Sequence, residues 1–265
     1  MSEIQTISIL GCGWYGFALA QDLIKSGFKV KGSSTTSDKA DKFKQAGIDF
    51  FEINFKSDSQ SYTPIFFDCD LLIISIPPKS KTGEAMLFPA KINRVKTALE
   101  LFKVKYVLFI SSTGVYGDFN TEVNEDTESE PQSDSGKNIL AAENILKNNS
   151  NFDVTILRFG GLIGPGRDPA KFFFGKKNIP NGRAPVNLIH LDNCIKVTKA
   201  IIEKKVFGHT FNVCSSKHPS KIEFYTQAAL KSGLDAPDFL DELKEWKIVS
   251  SKNLVPVLGL NIRDI

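Results

Sequence analysis

The sequence predicts an α/β fold: a doubly wound parallel sheet with a reduced C-terminal lobe. Three observations predict it. Apolar runs of strand length alternate with segments of helical period through the first 160 residues. A glycine-rich stretch, Ile9-Leu10-Gly11-Cys12-Gly13-Trp14-Tyr15-Gly16, stands between the first strand and the first helix. From Gly160 the alternation breaks into Gly- and Pro-rich pieces.

Each element has its own signal. Ile7-Ser8-Ile9-Leu10 reads as a short buried strand. Phe17, Leu19, Ala20, Leu23 and Ile24 recur at helical spacing, and Gly27 suits the stop. Phe28–Lys31 reads as a second strand, and Ser37 is positioned to cap a helix running to Gly47. Residues 48–55, IDFFEINF, read as one strand. LLIISI at 71–76 is the next, ended by Pro77-Pro78. A helix from about Pro89 to Phe102 and a strand at 106–111 follow. Residues 118–134 hold seven acids and no base, which reads as a solvated loop. A helix at 137–147 and a strand at 154–157 complete the core, and strand-like pieces recur at Asn187–Leu191 and Thr210–Val213. Residues 1–160 are thus the expected core. Residues 161–265 are a mixed segment adding late strands and a small lobe to one integrated unit. Phe172-Phe173-Phe174 is expected to form the lobe's core or a pocket wall.

The 265 residues carry 33 basic and 30 acidic side chains, a net charge of +3. That balance gives no electrostatic footprint for nucleic acid or an acidic membrane. No apolar run approaches the roughly 18 residues a membrane helix needs. The N-terminal stretch contains Glu3 and no basic cluster, unlike a secretory signal. Cys12, Cys69, Cys194 and Cys214 lack metal-site spacing, so no metal is expected; free thiols in the cytoplasm are.

Gly11, Gly13 and Gly16 form G-x-G-x-x-G between a strand and a helix. In a dinucleotide site the first glycine permits the tight turn. The second lets the pyrophosphate approach the backbone, and the third lets helix and strand pack closely. The expected cradle is Gly11, Cys12, Gly13, Trp14, Tyr15 and Gly16 at the helix N-terminus, in a Rossmann arrangement. An NAD site carries an acid about 20 residues after the loop. Here Gly32–Ser37 contains none, and Ser34, Thr35, Thr36, Ser37 and Lys39 offer hydroxyls and an ammonium. These groups suit a 2′-phosphate, favouring NADP(H) over NAD(H); alternatively they form a polar turn and a helix cap. Ile76, Pro77 and Pro78 are expected beside the adenosine or ribose.

Further along, ISSTGVYGD (110–118), ILRFGGLIGPGR (156–167), NLIHLDNC (187–194) and GHTFNVCS (208–215) resemble the extended short-chain dehydrogenase/reductases, the NAD-dependent epimerase/dehydratase superfamily. GSSTTS, HPSKIEFYTQ and the late LGL are most similar to its atypical, YeeZ-like branch. The resemblance implies a dinucleotide cofactor, Ser111 beside it, and Ser112 hydrogen-bonding a substrate oxygen. It implies Thr113 and Asn187 on the substrate side and Arg158 as an architectural hydrogen-bonder; alternatively Asn187 satisfies a backbone group, and Ser112 a backbone group of its loop. It also implies a Tyr-xxx-Lys acid/base pair four residues before a Glu. Counting back from Glu143 puts Ser135 and Ile139 where that Tyr and Lys belong, so the pair is missing.

Tyr116 and His190 are candidate replacements, with Lys137 more suited to the surface. Tyr116 either reaches the pocket or is a packed aromatic; His190 is either a proton donor near neutral pH or a satisfied structural side chain. Ile139, Leu140 and Ile145 serve either a dimer interface or the core, so monomer and homodimer both stand. The expected function is an NAD(P)-binding oxidoreductase or epimerase/dehydratase-like enzyme on a small or nucleotide-linked substrate. The alternative is a cofactor-binding redox sensor or scaffold with little turnover.

Overall fold

Burial on both faces explains why the strands read as nearly continuous apolar runs. The computed structural model describes residues 3–78, 84–262 and 264. The chain runs β1 (Thr6–Leu10), α1 (Trp14–Lys25), β2 (Lys29–Ser34), α2 (Ala40–Gln45) and β3 (Asp49–Glu52). A small hairpin, β4 (Asn54–Phe55) and β5 (Gln60–Ser61), precedes β6 (Leu71–Ile74), α3 (Phe88–Leu101) and β7 (Tyr106–Ser112). Then come β8 (Thr121–Val123), α4 (Asp134–Lys147), β9 (Asp153–Phe159) and β10 (Gly161–Ile163). The remainder is β11 (Leu188–His190), α5 (Leu191–Lys204), β12 (Thr210–Val213), α6 (Lys221–Lys231), β13 (Lys247–Val249) and α7 (Leu254–Leu258).

Seven strands form one parallel sheet in the order β12-β9-β7-β6-β1-β2-β3. The order reverses at β1, whose neighbours are β2 and β6. In such sheets the crevice outside the strands' C-terminal ends at this point is where ligands bind. Period-2 alternation divides the core. Ile7, Ile9, Leu71 and Ile73 face α1 and α5 with Tyr15, Leu19, Leu23, Val197 and Ile201. Leu10, Leu72 and Ile74 face α3 and α4 with Ile92, Val95, Leu99, Ala142 and Leu146. Each fully buried aliphatic side chain contributes about 1.5–3 kcal/mol, so this double layer holds the crevice walls in place.

Several expectations are corrected. Residues 48–55 do not form one strand: β3 leaves the sheet at Glu52, and Asn54–Phe55 turn into the hairpin. Ser37 does not cap α2; it starts a 3₁₀ turn, Ser37–Lys39, whose cap Thr36 makes no capping side-chain bond. The acidic loop is docked rather than simply solvated. Its Val123 is 3% exposed, and β8 pairs in parallel with β13. The Glu125 carboxylate accepts backbone N–H groups from Asn212, Lys252 and Asn253.

In the C-terminal lobe, Ile163, Val186, Leu188 and Tyr225 form a small core, and Phe173 packs on it edge-to-face with Tyr225. Phe172 and Phe174 are exposed, so one of the three phenylalanines packs in this core. Ile139, Leu140 and Ile145 all pack inside the protomer. Among the described residues, no helix is long and apolar enough to cross a membrane, and no cluster suits a metal ion.

Candidate functional site

The glycine loop joins β1 to α1 at the switch point. Gly11 has φ +89°, and a Cβ there would lie 2.6 Å from Ile76 Cγ2. A Cβ on Gly16 would lie 2.9 Å from the Gly11 carbonyl oxygen. A Cβ on Gly13 would meet nothing within 4 Å. Two glycines are therefore required by the chain's own packing, and the middle one faces open space. Among the described residues no acceptor takes the N–H groups of Trp14, Tyr15 and Gly16, and the first turn of α1 carries no acid. Free donors, the positive helix end and a missing Cβ are what a bound pyrophosphate requires. The loop fits a dinucleotide.

Ser33, absent from the expected site, splints this loop. Its buried hydroxyl accepts the Gly11 N–H at 3.0 Å, and its carbonyl accepts the Cys12 N–H at 2.9 Å. The available signal was its place near the end of the second strand, opposite the loop.

Within the loop, Cys12 and Tyr15 turn their side chains into the protein. The Cys12 thiol is buried against Gly32, and burial pushes it up to about 12. The Tyr15 hydroxyl hydrogen-bonds Thr198 Oγ1 at 2.6 Å, and its ring meets Phe159 edge-on. Trp14 points outward instead. Its indole N–H donates to the Pro165 carbonyl at 2.6 Å, and the Arg167 guanidinium lies 4.4 Å from its ring centre.

After β2, Thr35, Thr36, Ser37 and Lys39 are exposed and Ser34 is half-buried. Ser34 Oγ accepts the Thr36 N–H at 3.4 Å, and the Thr36 hydroxyl donates to the Asp38 carboxylate. A carboxylate thus stands immediately beyond the stretch that lacks one. Lys39 and Lys42 act weakly against the effect of burial on the Cys12 thiol, and the Lys42 ammonium lies 4.3 Å from the Phe17 ring centre. After β6, Ile76 packs on Gly11, Pro77 is exposed and Pro78 is half-buried.

The end of β7 differs from expectation. Ser111 is 6% exposed, and its hydroxyl donates to Glu143 Oε1 at 2.5 Å, so it is a core anchor rather than a cofactor contact. Glu143 also accepts from Arg158, Nε to Oε1 at 3.0 Å and NH2 to Oε2 at 2.6 Å. Arg158 NH1 donates to the Tyr116 hydroxyl at 2.7 Å, and that hydroxyl's single proton lies between two acceptors, Asn212 Oδ1 and the Asn124 carbonyl.

Tyr116 is therefore withdrawn from the catalytic set. It is 2% exposed, and its hydroxyl is committed to three partners. Burial holds its phenol above the ordinary value although Arg158 pulls the other way. Burial disfavours the Arg158 charge, but Glu143 and Tyr116 outweigh it and keep the guanidinium above its usual value.

Ser112 is half-buried at the strand end and accepts the Gly114 N–H at 3.1 Å, leaving its own proton to donate. Thr113 follows in the turn and is 6% exposed. A Cβ on Gly136 would come within 2.3 Å of the Gly114 carbonyl oxygen, so the first turn of α4 presses on this turn. Ser135 lies in that first turn, while Ile139 is buried with Val115, Tyr116 and Val249. Lys137 is exposed and pairs with Asp134 at 3.7 Å.

Asn187 bonds backbone groups of β13. Its Nδ2 donates to the Lys247 carbonyl at 2.9 Å, and its Oδ1 accepts the Val249 N–H at 2.8 Å. The amide substitutes for a strand partner of β13. His190 caps α5: its Nδ1 accepts the Asp192 N–H at 3.2 Å. That bond puts the ring proton of the neutral imidazole on Nε2. A Cβ on Gly164 would lie 3.4 Å from this Nε2 and 3.5 Å from Trp14 Cζ2, so His190 borders the Trp14 side of the crevice.

A parallel sheet with a strand–glycine loop–helix unit at its switch point defines a dinucleotide-binding protein. The chain belongs to the family described as NAD(P)H-binding, whose model matches residues 11–186. It is 34% identical over 263 residues to Protein YeeZ of Escherichia coli strain K12, covering 97% of this chain and 95% of that protein.

Its fold is shared with a functionally unknown conserved protein from Silicibacter pomeroyi DSS: TM-score 0.78, 22% identity, 97% of this chain and 93% of that one. It is shared equally with UDP-glucuronic acid 4-epimerase from Bacillus cereus in complex with NAD: TM-score 0.79, 20% identity, 97% and 93% coverage. The fold is that of the short-chain dehydrogenase/reductase and epimerase superfamily.

Proposed function

We propose that the chain is an NADP(H)-favouring enzyme of the oxidoreductase or epimerase/dehydratase-like class, acting on a small or nucleotide-linked substrate without the usual Tyr-Lys pair. The observation that carries the reading is the open face of Gly13 between two glycines that packing requires. Gly11 through Gly16 would hold the pyrophosphate. Ser34 through Ser37, with Lys39, would take the 2′-phosphate. Ile76, Pro77 and Pro78 would line the ribose side.

A bound nicotinamide supplies hydride transfer. Ser112 would donate a hydrogen bond to a substrate oxygen, and His190 Nε2–H is the remaining candidate proton donor. Four free cysteines support a reducing compartment, the cytoplasm.

The test is titration of the purified protein with NADPH and NADH, read by nicotinamide fluorescence and by melting temperature. NADPH is expected to bind more tightly, with Lys39→Ala narrowing the difference. Binding of neither, once cofactor carried through purification is excluded, overturns the reading.

A second reading is favoured by Ile139, an apolar core residue where the superfamily's lysine belongs. A cofactor-binding redox sensor would keep the loop and dispense with the proton shuttle. Turnover with some substrate, lowered in Ser112→Ala and His190→Gln, decides for the enzyme. Tight binding without turnover, with a shape change between oxidised and reduced forms, decides for the sensor.

A further inference from the structure

Trp14 and Arg167 lie 153 positions apart in sequence and meet at the crevice. Trp14 opens α1 one residue after Gly13, and its indole N–H reaches the Pro165 carbonyl at 2.6 Å. In the sheet, β6 and β7 lie between β1, which feeds the loop, and β9, which feeds the segment containing Pro165. The bridge therefore walls the crevice on the face carrying α1 and α5. The turn that receives it is tight. Gly164 and Arg167 exchange backbone hydrogen bonds at 2.8 and 3.3 Å, and Gly164 and Gly166 take φ +142° and +75°. Arg167 leaves this turn with its guanidinium stacked on the indole, 4.4 Å from the ring centre.

That guanidinium is exposed, and among the described residues no carboxylate or carbonyl accepts from it. An arginine placed for architecture finds an acceptor, as Arg158 does in Glu143. This one is held by an aromatic face, which fixes its position and leaves its donors unused. Its anchor is the residue whose own N–H belongs to the phosphate cradle. The charge is thus anchored to the residue that opens α1 directly after Gly13.

We propose that Trp14, Pro165 and Arg167 form a latch on the phosphate loop. Arg167 supplies the cation that retains the cofactor's pyrophosphate, and the indole bond to Pro165 slows its release. The proposal rests on the dinucleotide reading above and assigns residues outside the glycine motif to retention.

The experiment is stopped-flow release of NADPH, with its dissociation constant measured from 50 to 300 mM salt, roughly bracketing physiological ionic strength. The proteins are wild type, Arg167→Met, Arg167→Lys and Trp14→Phe. Arg167→Met should bind roughly threefold to thirtyfold more weakly at low salt and show a flatter salt dependence, and Arg167→Lys should recover part of both. Trp14→Phe keeps a ring but loses the indole N–H, and should release cofactor roughly threefold to tenfold faster. Melting temperatures of the free proteins check folding, and exposed Arg167 is the variant expected to leave them unchanged. Wild-type release rates in both Arg167→Met and Trp14→Phe, or an unchanged salt slope in Arg167→Met, overturn the latch while the cofactor reading stands. A wild-type protein that binds no dinucleotide overturns the cofactor reading itself.

Discussion

Glu143 and Arg158 form a buried two-point ion pair between α4 and β9, with contacts of 2.6 and 3.0 Å. Glu143 is fully buried and Arg158 is 4% exposed. Removing one member of such a pair costs about 3–5 kcal/mol, here at the lower end because Lys147 stays 3.7 Å from Glu143 Oε2. Arg158→Met should lower unfolding free energy by about that amount in urea denaturation. A loss below about 1 kcal/mol would show that solvent reaches Glu143.

Tyr116 is an arm of the same network. Tyr116→Phe removes one hydroxyl with three partners, and should cost about 1–3 kcal/mol of stability. Cofactor affinity should stay within about twofold of wild type, because the hydroxyl is committed within the core. Affinity or turnover falling at unchanged stability would return Tyr116 to the site.

The buried thiols set an alkaline limit. Burial raises Cys69 to about 11 and Cys12 and Cys214 to about 12, from an ordinary value of 9.0, and raises Cys194 as well. In the unfolded chain these groups lose protons first. Their contribution to stability is therefore complete below pH 9 and is lost as pH rises towards 11 and 12. Melting temperature should fall steadily above about pH 9, and a thiol reagent should react with Cys12, Cys194 and Cys214 only on unfolding, with half-buried Cys69 the first to react. Rapid labelling of Cys12, Cys194 or Cys214 in the native protein at pH 8 would contradict the burial.

Asn187 ties β13 to the rest of the lobe through both ends of its amide. Asn187→Leu leaves a carbonyl and an N–H without partners, and should cost about 2–4 kcal/mol. Limited proteolysis should then cut near residues 240–250 sooner than in wild type. An unchanged cleavage pattern with weakened substrate binding would restore the ligand role.

The sheet was legible because strands buried on both faces announce themselves as apolar runs, and the loop because glycine spacing reports steric need. What was not legible has a different cause. Ser111, Tyr116 and Asn187 are polar side chains at positions where the superfamily places site residues, and their partners lie up to 96 positions away. Nothing local distinguishes a hydroxyl that meets a ligand from one that meets Asn212. Val123 was hidden by the acids around it, because its partner strand is three residues near the chain's end. Ser33 was passed over because Ser34, beside it, carries the side chain that turns outward.

The central claim is that Gly13 is a glycine for the cofactor's sake, whereas Gly11 and Gly16 are glycines for the fold's. Its most direct measurement compares Gly13→Ala with Gly11→Ala for melting temperature and NADPH affinity. Gly13 has φ −81° and ψ −148°, a backbone that alanine adopts less readily than glycine, while its Cβ would enter open space. The account predicts that Gly13→Ala is destabilised less than Gly11→Ala yet binds NADPH at least about tenfold more weakly. Gly11→Ala should be destabilised by about 1–3 kcal/mol, since it sets a Cβ against Ile76 at positive φ. A Gly13→Ala protein that binds NADPH as wild type does would contradict the account.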